Sequence, residues 1–97
     1  MATSKDYLEY VLELLREVDD ISCKKMMGEY ILYKNNVIFG GVYDNRFLIK
    51  KSKSLEEYHL KEEIPFHSAK KMYLIDSEDP EEIKEMVESL YIDLTNR

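Results

Sequence analysis

The chain has 97 residues, 14 of them basic and 20 acidic, for a net charge of −6. That length accommodates one two-layer core and no second independent one, so residues 1–97 are taken as a single domain. No apolar run approaches the ~20 residues of a membrane-spanning helix, and the N-terminus lacks the basic-then-apolar order of a secretory signal, so the cytoplasm is the expected compartment. With one cysteine, Cys23, an internal disulfide and a cysteine-rich zinc site are both excluded, and a small buried thiol is expected.

The first predicted element is a helix. Thr3 or Ser4 caps it, Asp6 lies in its first turn, and Leu8, Val11, Leu12, Leu15 and Val18 recur at helical spacing, widened by Tyr7 and Leu14. Glu9, Glu13 and Glu17 occupy the opposite side, giving an amphipathic helix of about four turns. Asp19, Asp20 and Ser22 end it.

The central stretch from Lys24 to Lys53 reads as a three-stranded antiparallel meander. Two polar pairs, Asn35-Asn36 and Asp44-Asn45, sit between runs rich in Val, Ile, Phe and Tyr, and Asn and Asp tolerate the positive φ that tight hairpin turns require. Two-residue loops pair Lys34 with Val37, Leu32 with Phe39, Tyr43 with Arg46 and Gly41 with Leu48. On that register one face collects Met27, Ile31, Tyr33, Ile38, Val42, Phe47 and Ile49 and is expected to be the core face. The other collects Tyr30, Leu32, Lys34, Val37, Phe39, Tyr43, Arg46, Leu48 and Lys50, an apolar strip with cations mixed in. Gly40-Gly41 within a strand suggests a bulge or the close approach of a helix. Residues 24–53 carry a net charge of +5, between acidic ends of −4 (1–23) and −6 (72–97); lysines on exposed strands ordinarily guard against edge pairing.

Ser54 and Glu57 have the spacing of a capping box, so a short helix is expected over Leu55 to about Lys61, with Leu55, Tyr58 and Leu60 inward. Pro65 stops it, residues around Phe66, His67 and Ser68 form a loop, and Lys71–Asp76 is a fourth strand. The last helix has the sharpest boundary: Asp79 caps, Pro80 takes the first position, and Glu82 completes a capping box, while Ile83, Met86, Val87, Leu90, Tyr91 and Leu94 form its stripe. The order α-β-β-β-α-β-α describes an α+β two-layer sandwich, with helices at both ends covering the core face.

Candidate chemistry is sparse. His59, Glu62, Glu63 and His67 match no recognised metal-ligand spacing, and neither a metal nor a cofactor is expected. Cys23 has no His or Asn near it in sequence, and no pair of carboxylates or Gly-rich phosphate loop is present, so an enzyme is not expected. Glu29, the one carboxylate on the expected core side, is flagged for a buried partner or a place at the sheet margin. The mixed face, with Tyr30, Leu32, Phe39, Tyr43, Arg46, Leu48 and Lys50, is the expected partner or dimer face, since interfaces favour Tyr, Phe and Arg. Direct nucleic-acid binding by the same aromatic and basic side chains is the competing expectation; the acidic total opposes it.

From Asp6 to about Leu94 the chain resembles the N-terminal domain of the TfoX/Sxy family of competence regulators. The resemblance is carried by K-K-M-M-G-E-Y-I-L-Y at 24–33, in which Lys25, Met26, Gly28 and Tyr30 match a basic-Met-x-Gly-x-Tyr signature, by I-F-G-G-V-Y-D at 38–44, by the F-L-I-K-K that follows, and by A-K-K-M at 69–72. It implies a secretion-chaperone-like α+β fold, often dimeric, without known catalysis. In the regulators a second, helical domain follows, and the two assist the cyclic-AMP receptor protein at competence promoters. The chain is read as a stand-alone version of the first domain. The expected function is that of a non-enzymatic protein-interaction module, an accessory transcriptional regulator acting as a homodimer or through a partner in the transcription machinery.

Overall fold

The computed structural model describes residues 2–96. Helix α1 (Lys5–Leu14) begins where the Ser4 hydroxyl accepts the Tyr7 N–H at 3.1 Å, satisfying one of the donors a helix start leaves unpaired. Irregular turns then carry the chain to Val18, keeping Leu15 and Val18 in the core after the regular helix has ended.

Three hairpins follow. They join β1 (Ile21–Met26), β2 (Glu29–Lys34), β3 (Val37–Val42) and β4 (Phe47–Ile49). Their two-residue loops are Met27-Gly28, Asn35-Asn36 and Asp44-Asn45, and all six residues have positive φ, as type I′ turns need to match the twist of their strands. Two of these hairpins follow from the sequence. The first does not, because Met-Gly lacks the Asn or Asp that signals such a turn; the stretch expected as one strand from Lys24 is a second strand pair, and the meander has four strands.

The expected register fails at one residue. Lys34 pairs with Val37 and Tyr33 with Ile38, but Leu32 then pairs with Gly40, leaving Phe39 as the extra residue of a β-bulge. A phase change of one residue moves side chains to the other face of a strand. Phe39 and Val42, assigned to opposite faces by strict alternation, therefore share the helix-packed side with Tyr30 and Leu32 and, through cross-strand pairing, with Phe47 and Ile49. The expected core face of Met27, Ile31, Tyr33, Ile38, Val42, Phe47 and Ile49 is thus split. Val42, Phe47 and Ile49 join the core, whereas Ile31, Tyr33 and Ile38 lie on the side away from the helices.

Gly40-Gly41 is what the bulge requires. A Cβ on Gly40 would come within 2.3 Å of the Leu48 carbonyl oxygen, and one on Gly41 within 2.6 Å of both the Tyr30 carbonyl oxygen and the Tyr43 ring. Only glycine allows β2, β3 and β4 to approach this closely.

After β4 the expected helix over Leu55–Lys61 is a 3-10 helix, Lys53–Tyr58, ended by His59 in the left-handed region. Its capping box does not form: the Ser54 hydroxyl and N–H both donate to the Asp93 carboxylate, at 2.8 and 3.0 Å. Leu55 is fully buried as expected. The chain then adds β5 (Glu62–Glu63) and β6 (Met72–Leu74), giving a six-stranded antiparallel sheet of order β1-β2-β3-β4-β6-β5. β5 lies in a segment expected to be helix end and loop, and two residues carry too little alternation to announce a strand.

Helix α2 (Pro80–Thr95) starts on Asp79, whose carboxylate accepts the Glu81 N–H at 3.0 Å; the N–H of Asp79 donates to the Ser77 hydroxyl, so Glu82 does not close the expected box. Ile83, Met86, Val87 and Leu90 are buried with Leu8, Val11 and Leu15 of the N-terminal helical segment against Leu32, Phe39, Val42, Phe47 and Ile49 of the sheet. This two-layer α+β arrangement is the expected fold class. Among the described residues no helix is long and apolar enough to cross a membrane.

Candidate interaction surface

With both helices on one side, the other side of the sheet is closed only in part. Residues 64–71 fold back over it, held by Arg46 from the end of the third hairpin. Its guanidinium donates to the Ile64 and Pro65 carbonyls at 3.0 and 3.1 Å and to the Glu63 carboxylate at 2.9 Å. The Arg46 hydrogen bond, with Lys61 beside it, holds the Glu63 carboxyl below its usual range. Pro65 is the buried residue of this segment, and the Phe66 ring lies 6.1 Å from that of Tyr43, which itself lies over Gly41. Leu48, fully buried and outside the helix-side core, belongs to this second, smaller packed layer.

What stays uncovered is apolar. Of the seven large hydrophobic side chains that remain exposed among the described residues, five surround this face: Met26, Met27, Ile38, Ile64 and Phe66, with Phe66 62% and Met27 97% exposed. All but Ile64 border two hollows that share Tyr43 and Phe66. One, of about 660 Å³, is lined by Met26, Met27, Ile31 and Ala2. The other, of about 650 Å³, is lined by Ile38, Pro65 and Met72 and rimmed by Lys50, Lys51, Lys70 and Lys71. Met27 combines near-complete exposure with a φ of 52°, a conformation that costs a side chain other than Gly, Asn or Asp about 1 kcal/mol.

Glu29 closes one end of the apolar hollow. Its carboxylate accepts the Thr3 N–H at 3.0 Å, the Thr3 hydroxyl at 2.6 Å and the Asp44 N–H at 3.1 Å, so it sits at the sheet margin and ties the N-terminal segment to the third hairpin. Its protein partners are backbone and hydroxyl groups. Thr3, a candidate helix cap, serves this knot instead, and the N–H of Thr3 also donates to the Gly28 carbonyl.

The seven residues expected to form one partner face do not lie together. Leu32 and Phe39 are fully buried under the helices, and Tyr30 is half-buried on that same side. Tyr43 and Leu48 lie on the far side but are buried, Arg46 is engaged with residues 63–65, and Lys50 alone is both on the far side and exposed. The bulge at Phe39 is the reason. Met26, Met27, Ile31, Phe66, Lys70 and Lys71 fall outside the face expected from the sequence; all but Phe66 lie in the 24–33 and A-K-K-M runs that carry the family resemblance, and no local turn or strand signal marks them as members of the open face. Cys23, expected to be buried, is exposed because β1 is an edge strand reaching beyond the helices. Glu62 and Glu63 are paired with Lys51 and Arg46, and among the described residues no three His, Cys, Asp or Glu side chains converge as a metal site.

The model of the TfoX N-terminal domain matches residues 13–90. Domains of this kind are linked to competence regulation and are not known to be enzymatic. A search of the curated proteins finds no match. The matched span runs from within α1 through the whole sheet to the buried stripe of α2, and the chain belongs to the TfoX N-terminal domain family.

Proposed function

We propose that this protein is a non-enzymatic interaction module that works in the cytoplasm as an accessory regulator of the competence-regulator type, binding another protein through the sheet face away from its helices. The observation that carries this is the gathering of five of the seven exposed large hydrophobics around one face; monomeric proteins seldom leave such patches contiguous unless they are used for contact. The conformation of Met27 supports the same reading. A left-handed methionine at a turn tip, 97% exposed, lowers stability and gains no internal packing.

Site-directed photo-crosslinking in cells tests this. A photoreactive side chain at position 27 or 66 is expected to capture a protein that the same probe at position 13 or 85, on the helix side, does not. Capture of nucleic acid, or equal capture from both sides, would remove the proposal. Sedimentation of the wild-type chain identifies the case in which the captured protein is a second copy.

A further inference from the structure

The two hollows differ in chemistry. The Met26, Met27 and Ile31 hollow has one carboxylate, Glu29, and its oxygens are occupied by Thr3 and Asp44. The hollow across Phe66 has four lysines and no carboxylate among its lining residues. Lys51 is bound to Glu62 at 2.8 Å, and Lys71 lies close enough to help lower that carboxyl's pKa. The ammonium groups of Lys50 and Lys70 have no ion-pair or hydrogen-bond partner among the described residues, in a chain whose total charge is −6. One face thus holds a strip that is apolar at one end and cationic at the other, with Phe66 as the ridge between them.

Resting on the interaction reading above, we infer that the occupant of this face is a segment of another protein carrying at least one large apolar side chain beside a cluster of carboxylates. The apolar part fills the Met26, Met27 and Ile31 hollow, and the carboxylates lie over Phe66 toward Lys50, Lys70 and Lys71. Charge complementarity selects this occupant. A second copy with its strip parallel to this one would bring lysine rim against lysine rim, and one with its strip head-to-tail would lay each lysine rim on the partner's Met26, Met27 and Ile31 hollow, whose one carboxylate, Glu29, is already bonded to Thr3 and Asp44; neither arrangement supplies the lysines with counter-charge. A nucleic acid could use the lysines, but the only well-exposed ring here is Phe66, whereas strand-binding surfaces offer several rings for successive bases. The acidic helices would repel its long backbone, and a short peptide segment brings far fewer charges near them.

Selection from a phage-displayed library of random ten-residue peptides, using the full chain as bait, tests the inference directly. Enriched peptides are expected to carry net negative charge and at least one aromatic or aliphatic residue. Binding of a representative peptide should weaken at least ten-fold when its acids become amides. It should weaken similarly in the Lys50→Glu/Lys70→Glu variant, and by less than two-fold in Lys5→Glu/Lys53→Glu, which makes the same charge change away from the groove. Enrichment of neutral or basic peptides, or equal binding by the two charge variants, overturns it. Tighter binding of a single-stranded oligonucleotide than of any selected peptide, or a dimer lost in the Lys50→Glu/Lys70→Glu variant, also overturns it in favour of those occupants. If the peptide result fails while crosslinking from positions 27 and 66 still captures a protein, the acidic-segment inference falls alone; if both fail, the interaction reading falls with it.

Discussion

The two faces of the sheet use the same residue types for opposite ends. On the helix side Leu32, Phe39, Val42, Phe47 and Ile49 are buried almost completely against α1 and α2, while on the far side Met26, Met27, Ile38 and Phe66 keep 41–97% of their surface exposed. Composition does not distinguish them. The difference is whether an element exists to cover each face, and residues 64–71 cover only the middle of the second. A side chain on the first face contributes through the water it excludes and the contacts it fills. One on the second is available to a partner at little cost to the fold.

Two phenylalanines give the widest separation. Phe39→Ala, removing a fully buried ring, is expected to lower unfolding free energy by about 3–5 kcal/mol, and Phe66→Ala by no more than about 0.5 kcal/mol; urea unfolding of both measures the gap, and equal losses would erase the distinction between the faces. Gly40→Ala tests the bulge that sets the faces, because its Cβ would press on the Leu48 carbonyl at 2.3 Å. A loss of about 3 kcal/mol is expected, and a neutral result would mean that β3 runs straight. Met27→Asn gives the first hairpin the Asn-Gly sequence its turn prefers, and a gain of about 1 kcal/mol in stability together with weaker peptide binding is expected. Unchanged binding would leave the exposed Met27 without a purpose.

The smallest effect belongs to the helix side and depends on pH. The Tyr58 hydroxyl donates to the Glu85 carboxylate at 2.7 Å, tying the 3-10 helix to α2, and this bond pushes its pKa from 10.0 up to about 12. Because the folded value is the higher one, the stabilisation is present in full below pH 10 and is lost as pH rises through about 12. Thermal unfolding should therefore show the wild type ahead of Tyr58→Phe by a margin constant near neutrality and shrinking above pH 10. A margin that persists above pH 12 would assign the difference to packing.

Much of this protein is written locally. The stripe Leu8, Val11, Leu15 and the stripe Ile83, Met86, Val87, Leu90 are legible because a helix brings residues three and four apart onto one face whatever it packs against. Asp79-Pro80 marks a helix start and Asn35-Asn36 a turn for equally local reasons, a side-chain acceptor in reach of free N–H groups and a backbone that tolerates positive φ. The site is legible only in outline. A second apolar face carrying lysines follows from the central stretch, yet of the residues assigned to it only Lys50 stands exposed on the face that remains open.

What the tertiary structure alone decided is the phase of the sheet and what covers it. Strand alternation carries a face assignment only as far as the first extra residue, and the bulge at Phe39 exchanged the two faces for half the meander. Gly40-Gly41 hints at an irregularity, but its position depends on how closely β2 and β4 approach. The fold-back of residues 64–71 likewise hangs on Arg46 reaching carbonyls 18 and 19 positions away. Turns and caps are fixed by contacts within a few residues; which side of a sheet meets water is fixed by pairings across the whole chain.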